Sequence, residues 1–143
     1  MLTLTRKKYE IEEPIQVKDE EGNLLVDYTV RITPEEKLRI KNLIFDEQDV
    51  KDGRMMSKLE QEGKTIEYEE LESKVLERAK ARQEEFEQIV FKGQREIIKA
   101  KAGESIYLDL VDMMFDFFAN AFVEKRISQM NTLTTNLRKI TNK

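Results

Sequence analysis

The sequence predicts a mainly α-helical domain of the α+β class, in which a β-hairpin is followed by a short helix, a long amphipathic helix and an aromatic-rich helix. Apolar residues alternate with polar ones in the first third of the chain and recur every three or four residues afterwards. The 143 residues suit one domain. We expect a hairpin at 1–33, a helix at 34–50, a connector at 51–65, a long helix at 66–101, an apolar helix at 105–130 and a polar tail at 131–143.

The β-hairpin is predicted by alternation on both sides of a turn. Ile11, Ile15 and Val17 share one face, and the same alternation recurs along 24–32. Gly22 lies in the turn between the two strands, where a positive φ is tolerated. Pro14 removes one donor from the ladder, so its strand is expected at an edge or to carry a bulge. A two-stranded sheet is marginal alone, so its apolar face must cover helices or meet another subunit.

Two helical segments and a polar connector are expected next. Thr33, Pro34 and Glu36 form a helix start with a capping box, and apolar residues follow it at helical spacing. The polar stretch 46–64 contains Gly53 and Gly63, and we interpret it as a connector with at most a helical turn near 55–59. Along 66–101 the apolar residues form one narrow seam that weakens at Arg82 and at Gly93, where a kink is expected.

The segment 106–127 is apolar around most of its circumference, which is typical of a helix buried on several sides. Its polar stripe consists of Asp109, Asp112, Asp116 and Asn120. One hairpin, a short helix and a one-seam helix offer little cover for so much apolar surface, so both a purely internal core and a core with an added interface stay open. If an interface exists, we expect its contacts at Tyr107, Met114, Phe118, Phe122, Leu71, Val75 and Phe86.

Composition argues against an enzyme or a cofactor protein. The chain has no histidine, cysteine or tryptophan, which removes the commonest general base, thiol chemistry and disulfides. Its net charge of −4 provides no general attraction for nucleic acid or an anionic membrane. Neither a signal peptide nor an uninterrupted apolar span is evident, so we expect a cytoplasmic protein without membrane contact.

Three local patterns have a chemical and a structural interpretation. Asp109, Asp112 and Asp116 share one helical face and are a conceivable Mg²⁺ site, but a solvated stripe is favoured because no second acidic cluster matches them. The segment 63–65 (Gly-Lys-Thr) resembles the end of a phosphate loop, although Lys58 stands where that loop needs glycine. The basic groups at 6–8, 124–126 and 138–139 lack interleaved aromatic residues, so we interpret them as solvated surface.

The layout resembles tail assembly chaperones of phages of Gram-positive bacteria. The resemblance is carried by the hairpin at 9–32, the segment 32–36 (Ile-Thr-Pro-Glu-Glu), the charged helical middle and the aromatic-rich stretch 107–122. It covers most of the chain as architecture, and no diagnostic motif assigns a role to a residue. It implies a non-enzymatic protein that coats the tape-measure protein and delivers tail-tube subunits, and some members are also made as a longer frameshifted form.

The sequence therefore predicts a non-enzymatic assembly protein that masks an apolar helical surface of a protein partner, and a homo-oligomer. A structural phage tail or connector subunit that assembles through its hairpin is the first alternative. An uncharacterised helical interaction module is the second, and an enzyme or nucleotide-binding protein that uses the aspartate stripe is the third.

Overall fold

The computed structural model describes the backbone of residues 1–141 and the side chains of residues 1–123. A two-stranded antiparallel sheet is followed by helices, as the sequence predicts. The elements in chain order are β1 (Ile11–Lys18), β2 (Leu24–Ile32), α1 (Pro34–Ile44), α2 (Glu47–Gln61), α3 (Thr65–Phe91), α4 (Arg95–Ala102) and α5 (Glu104–Thr141).

The hairpin is held in register from Ile11 opposite Ile32 to Val17 opposite Val26, and a bulge follows Val17. At the turn, the Asp19 carboxylate accepts hydrogen bonds from the backbone N–H groups of Glu21 and Asn23, and Gly22 adopts a φ of 84°. These bonds satisfy donors that the ladder leaves unpaired. The buried side chains of the sheet are Ile15, Val26, Val30 and Ile32, which share the predicted parity.

Helix α1 begins with the predicted capping box. Glu36 donates its backbone N–H to the Thr33 hydroxyl at 3.2 Å, and the Glu36 carboxylate accepts the Thr33 N–H at 3.0 Å. Burial raises the pKa of Glu36, but hydrogen bonds from Lys92 and Thr33 outweigh it, so the net pKa is lowered. The Lys92 ammonium lies 2.6 Å from Glu36 and ties the end of α3 to the start of α1.

The stretch 51–65 is not the connector that we expected. Helix α1 ends at Ile44, the Asp46 side chain caps the next helix, and α2 runs from Glu47 to Gln61. Gly53 lies inside α2 and costs helix stability, yet the helix forms because it packs along α3 and is joined to it by ion pairs. Gly63, with a φ of 69°, makes the short turn into α3.

The predicted long helix is broken at the second weak point of its seam, near Gly93, and runs unbroken through the first, Arg82. Helix α3 ends at Phe91, a 3₁₀ turn spans Lys92–Gln94, and α4 continues to Ala102. Lys92 has a φ of 53°, a backbone conformation in which a side chain is strained. Gly103, with a φ of 87°, separates α4 from α5.

Helix α5 extends to Thr141, so the backbone stays helical through most of the predicted polar tail. At ~1.5 Å per residue its 38 residues span ~57 Å. The core lies between one side of α5, the second half of α3, α4, Ile40 of α1 and the buried face of the hairpin. Within it, the Phe86 ring meets the rings of Phe115 and Phe118 at centroid distances of 5.6 and 6.0 Å.

Candidate protein-binding surface

The expected contact residues lie mostly inside the chain's own core. Five of them are at most 9% exposed: Phe86, Tyr107, Met114, Phe118 and Phe122. Leu71 and Val75 are half-buried on α3, opposite α2. The structure thus separates the two groups: five side chains are buried in this fold, and two are partly exposed.

A different side of α5 is apolar and exposed. Met113 and Phe117 lie seven and eleven residues after Ile106, which places the three within ~40° of one another around the helix. Leu108 and Phe115 form a second exposed apolar row beyond the polar stripe. We call this surface the outer face of α5; its apolar side chains are between 38% and 67% exposed, and they are Ile106, Leu108, Met113, Phe115, Phe117 and Val123.

Three carboxylates run along the middle of the outer face. Asp109, Asp112 and Asp116 are exposed, and no lysine or arginine with a described side chain forms an ion pair with them. Within residues 1–123 no group of three or more carboxylates is placed to hold a metal ion. The outer face therefore combines apolar rows with a net negative charge.

A cleft of about 300 Å³ opens beside the outer face, where α1, α3 and α5 meet. Its apolar lining comes from Leu43, Ile44, Ala79, Phe86, Val111 and Phe115. The polar lining includes Asp49, Arg82 and Asp112, so the same carboxylate row reaches the cleft. The ring of Phe115, 40% exposed, forms part of the cleft wall.

Helices α2 and α3 are joined at the cleft by charges rather than by buried apolar side chains. Arg78 donates to the Asp52 carboxylate, which is 7% exposed and also accepts from Gln48. Arg82 pairs with Asp49 at 2.5 Å and with Asp46 at 3.2 Å. The hydrogen bond from Arg82 lowers the pKa of Asp49 below its usual value, because it favours the charged carboxylate.

A second polar contact lies in the core, and sequence reasoning missed it. The Tyr107 hydroxyl donates a hydrogen bond to the carboxylate of Glu87, which is 7% exposed. Burial and this carboxylate raise the pKa of Tyr107 well above its usual value, since both disfavour the phenolate. In the sequence, Glu87 resembles the many other charged residues of α3. The one signal of its burial is its position directly after Phe86 and three residues before Val90, both of which belong to the apolar seam.

The phosphate-loop pattern carries no matching geometry. The segment 63–65 joins two helices, whereas a phosphate loop follows a strand. The basic residues at 124–126 and 138–139 lie outside the described side chains. Within the described residues, no helix is long and apolar enough to cross a membrane.

Comparisons with known proteins add no relative. No protein-family model matches the chain, and neither a curated protein nor a solved structure is significantly similar to it.

Proposed function

We propose that this protein is a non-enzymatic assembly protein that binds a protein partner through the outer face of α5. The single observation that carries the proposal is that α5 turns one apolar side to the core and still leaves six apolar side chains exposed, in rows on the two flanks of its carboxylate row. These rows border a cleft, and exposed apolar surface rimmed by polar residues is typical of protein interaction sites. The absence of histidine and cysteine agrees with a role that needs no catalysis.

Within this class, we favour a tail assembly chaperone of a tailed phage that acts in the host cytoplasm. The support is the resemblance in layout, namely a hairpin, a capped short helix, a charged helical middle and an aromatic-rich helix. The partner would be the tape-measure protein or the tail-tube protein. Reversible masking of apolar segments on that partner would keep it soluble until assembly, because apolar surface withdrawn from water no longer drives aggregation.

The test is co-expression with a phage tape-measure protein, with the amount of soluble partner as the readout. Met113→Asp/Phe117→Asp places two charges on the outer face and should cut the soluble partner at least tenfold. Leu76→Asp is the matched control, because Leu76 on α3 is also exposed, at 55%. Equal recovery with all three chains, each folded by circular dichroism, would contradict the proposal.

The hairpin supports a second candidate, a structural tail or connector subunit. The described sheet has two strands, so β1 and β2 each pair along one edge only, and a free edge can accept a strand of a neighbour. Electron micrographs of the purified chain distinguish the candidates. Thr29→Pro removes one backbone donor from β2 and should block pairing with a neighbour's strand. Rings or tubes that disappear in this variant favour the structural subunit, whereas unassembled particles favour the chaperone.

A further inference from the structure

The first eight residues form an apolar and basic segment with few contacts in its own chain. Leu2 and Leu4 are fully exposed and alternate with threonines, and Arg6, Lys7 and Lys8 follow. The segment has no helix or strand, and its ordered contacts are an ion pair from Arg6 to Glu35 and the ammonium of Lys8 over the Tyr9 ring. Two leucines in water have no stabilising role in the isolated chain.

The outer face of α5 has the complementary chemistry. It offers exposed Met113 and Phe117 to the leucines, and three aspartates to the ammonium groups of Lys7 and Lys8, since Arg6 is already paired with Glu35. The lengths also agree, since residues 1–8 in extended conformation span ~26 Å and the outer face from 106 to 123 spans ~26 Å. Two outer faces packed directly against each other would instead bring like charges together, which is unfavourable.

In its own chain the segment does not cover the outer face, because Leu2, Leu4 and Met113 all remain exposed. Arg6 is anchored to Glu35 at the start of α1, and α1 packs against the buried side of α5, where Phe45 contacts Phe122 at a ring distance of 6.3 Å. The segment of a second copy is equally exposed and can reach the face that the segment of the same chain leaves open.

We propose that residues 1–8 of one copy bind the outer face of α5 of a second copy. The inference rests on the proposed function, which makes the outer face of α5 a binding surface. It names a second copy of the chain as a ligand of that surface. Each copy then has one donor segment and one acceptor face, so the contact is head-to-tail. Such a contact either closes, as a ring or as a dimer that exchanges segments, or continues as an open chain of copies. A partner protein on the outer face would compete with it.

The test measures the mass of the full chain by sedimentation over a range of concentrations. Wild type should associate, and Leu2→Ser/Leu4→Ser and Asp112→Lys/Asp116→Lys should each raise the dissociation constant at least tenfold. None of these side chains is buried, so the fold should persist. Leu76→Ser is the control that should associate like wild type. High salt should also weaken association, because it screens exposed charges.

Mixing the two disabled chains provides the sharpest readout. Each retains one half of the contact, so the mixture should form a one-to-one complex that neither chain forms with itself. A monomeric wild type at every concentration, association that survives both double substitutions, or a zero-length cross-link between 7–8 and 112–116 within one chain would each overturn the proposal. The proposed function is tested separately. It would still hold if the solubility of the co-expressed partner continued to depend on Met113 and Phe117.

Discussion

Replacing Tyr107 by Phe tests whether the buried hydrogen bond to Glu87 stabilises the fold. Tyr107 is 1% exposed, so the substitution keeps the ring packing and removes one hydroxyl. The Glu87 carboxylate, 7% exposed, then loses its neutral donor. A hydrogen bond to a charged group contributes about 1.5–3 kcal/mol. Because Arg95 lies close enough to keep part of the carboxylate's stabilisation, we predict a loss of about 2 kcal/mol in the free energy of unfolding.

Tyr28→Phe is the matched control. Its hydroxyl donates to a neutral acceptor, the backbone oxygen of Val90, at 3.1 Å, and the side chain is half-buried. A neutral bond of this kind contributes about 1 kcal/mol, so the loss should be smaller. Urea-induced unfolding followed by circular dichroism measures both free energies. A loss for Tyr107→Phe no larger than that for Tyr28→Phe would refute the reasoning.

The hydrogen bond between Tyr107 and Glu87 should also make stability depend on pH, and a second substitution should restore part of the stability that Tyr107→Phe removes. The pKa of Tyr107 is higher in the folded chain than in the unfolded one, so its contribution is complete below pH ~10 and is lost as pH rises further. Tyr107→Phe should therefore flatten the fall of stability in alkali. Adding Glu87→Gln to Tyr107→Phe removes the unpaired charge and should recover part of the lost stability.

Three further predictions concern the rest of the fold. Phe118→Ala should lower the free energy of unfolding by about 3–5 kcal/mol in urea titrations, because it opens a cavity in the core; a loss below that of Tyr28→Phe would contradict this. Arg82→Ala removes the partner that lowers the pKa of Asp49, so stability should depend less on pH below ~4, where the wild-type pair is lost as Asp49 is protonated; an unchanged acid profile would refute it. Thr33→Ala should cost about 1 kcal/mol through loss of the cap, and hydrogen exchange should locate the effect in the first turn of α1.

The hairpin and the start of α1 were predictable because local chemistry specifies them. Alternation along 24–32 and the capping box at Thr33 need no knowledge of the rest of the chain. Helix α2 was missed for the opposite reason. Its stability comes from ion pairs such as Asp52 with Arg78, which join residues 26 positions apart, and its apolar pattern is weak.

The candidate surface was predictable only in part. The sequence shows that α5 is apolar around most of its circumference, but which side is covered depends on how α1, α3 and α4 pack against it. Our expected contacts, such as Phe118, lie on the covered side. Phe117 and Met113 lie on the exposed side, about 100° and 140° around the helix from Phe118. Periodicity distinguishes the sides of a helix from one another, and tertiary packing decides which of them meets water.

The most direct measurement of the central claim is photo-crosslinking from the outer face of α5 in cells that produce the chain with its partner. A photoreactive residue replaces Met113 in one chain and Leu76, exposed on α3, in another. We predict that position 113 yields an adduct with the tape-measure protein, the tail-tube protein or a second copy of the chain, and that position 76 does not. Adducts that are absent at 113, or equally abundant at 76, would contradict the claim that this face binds another polypeptide.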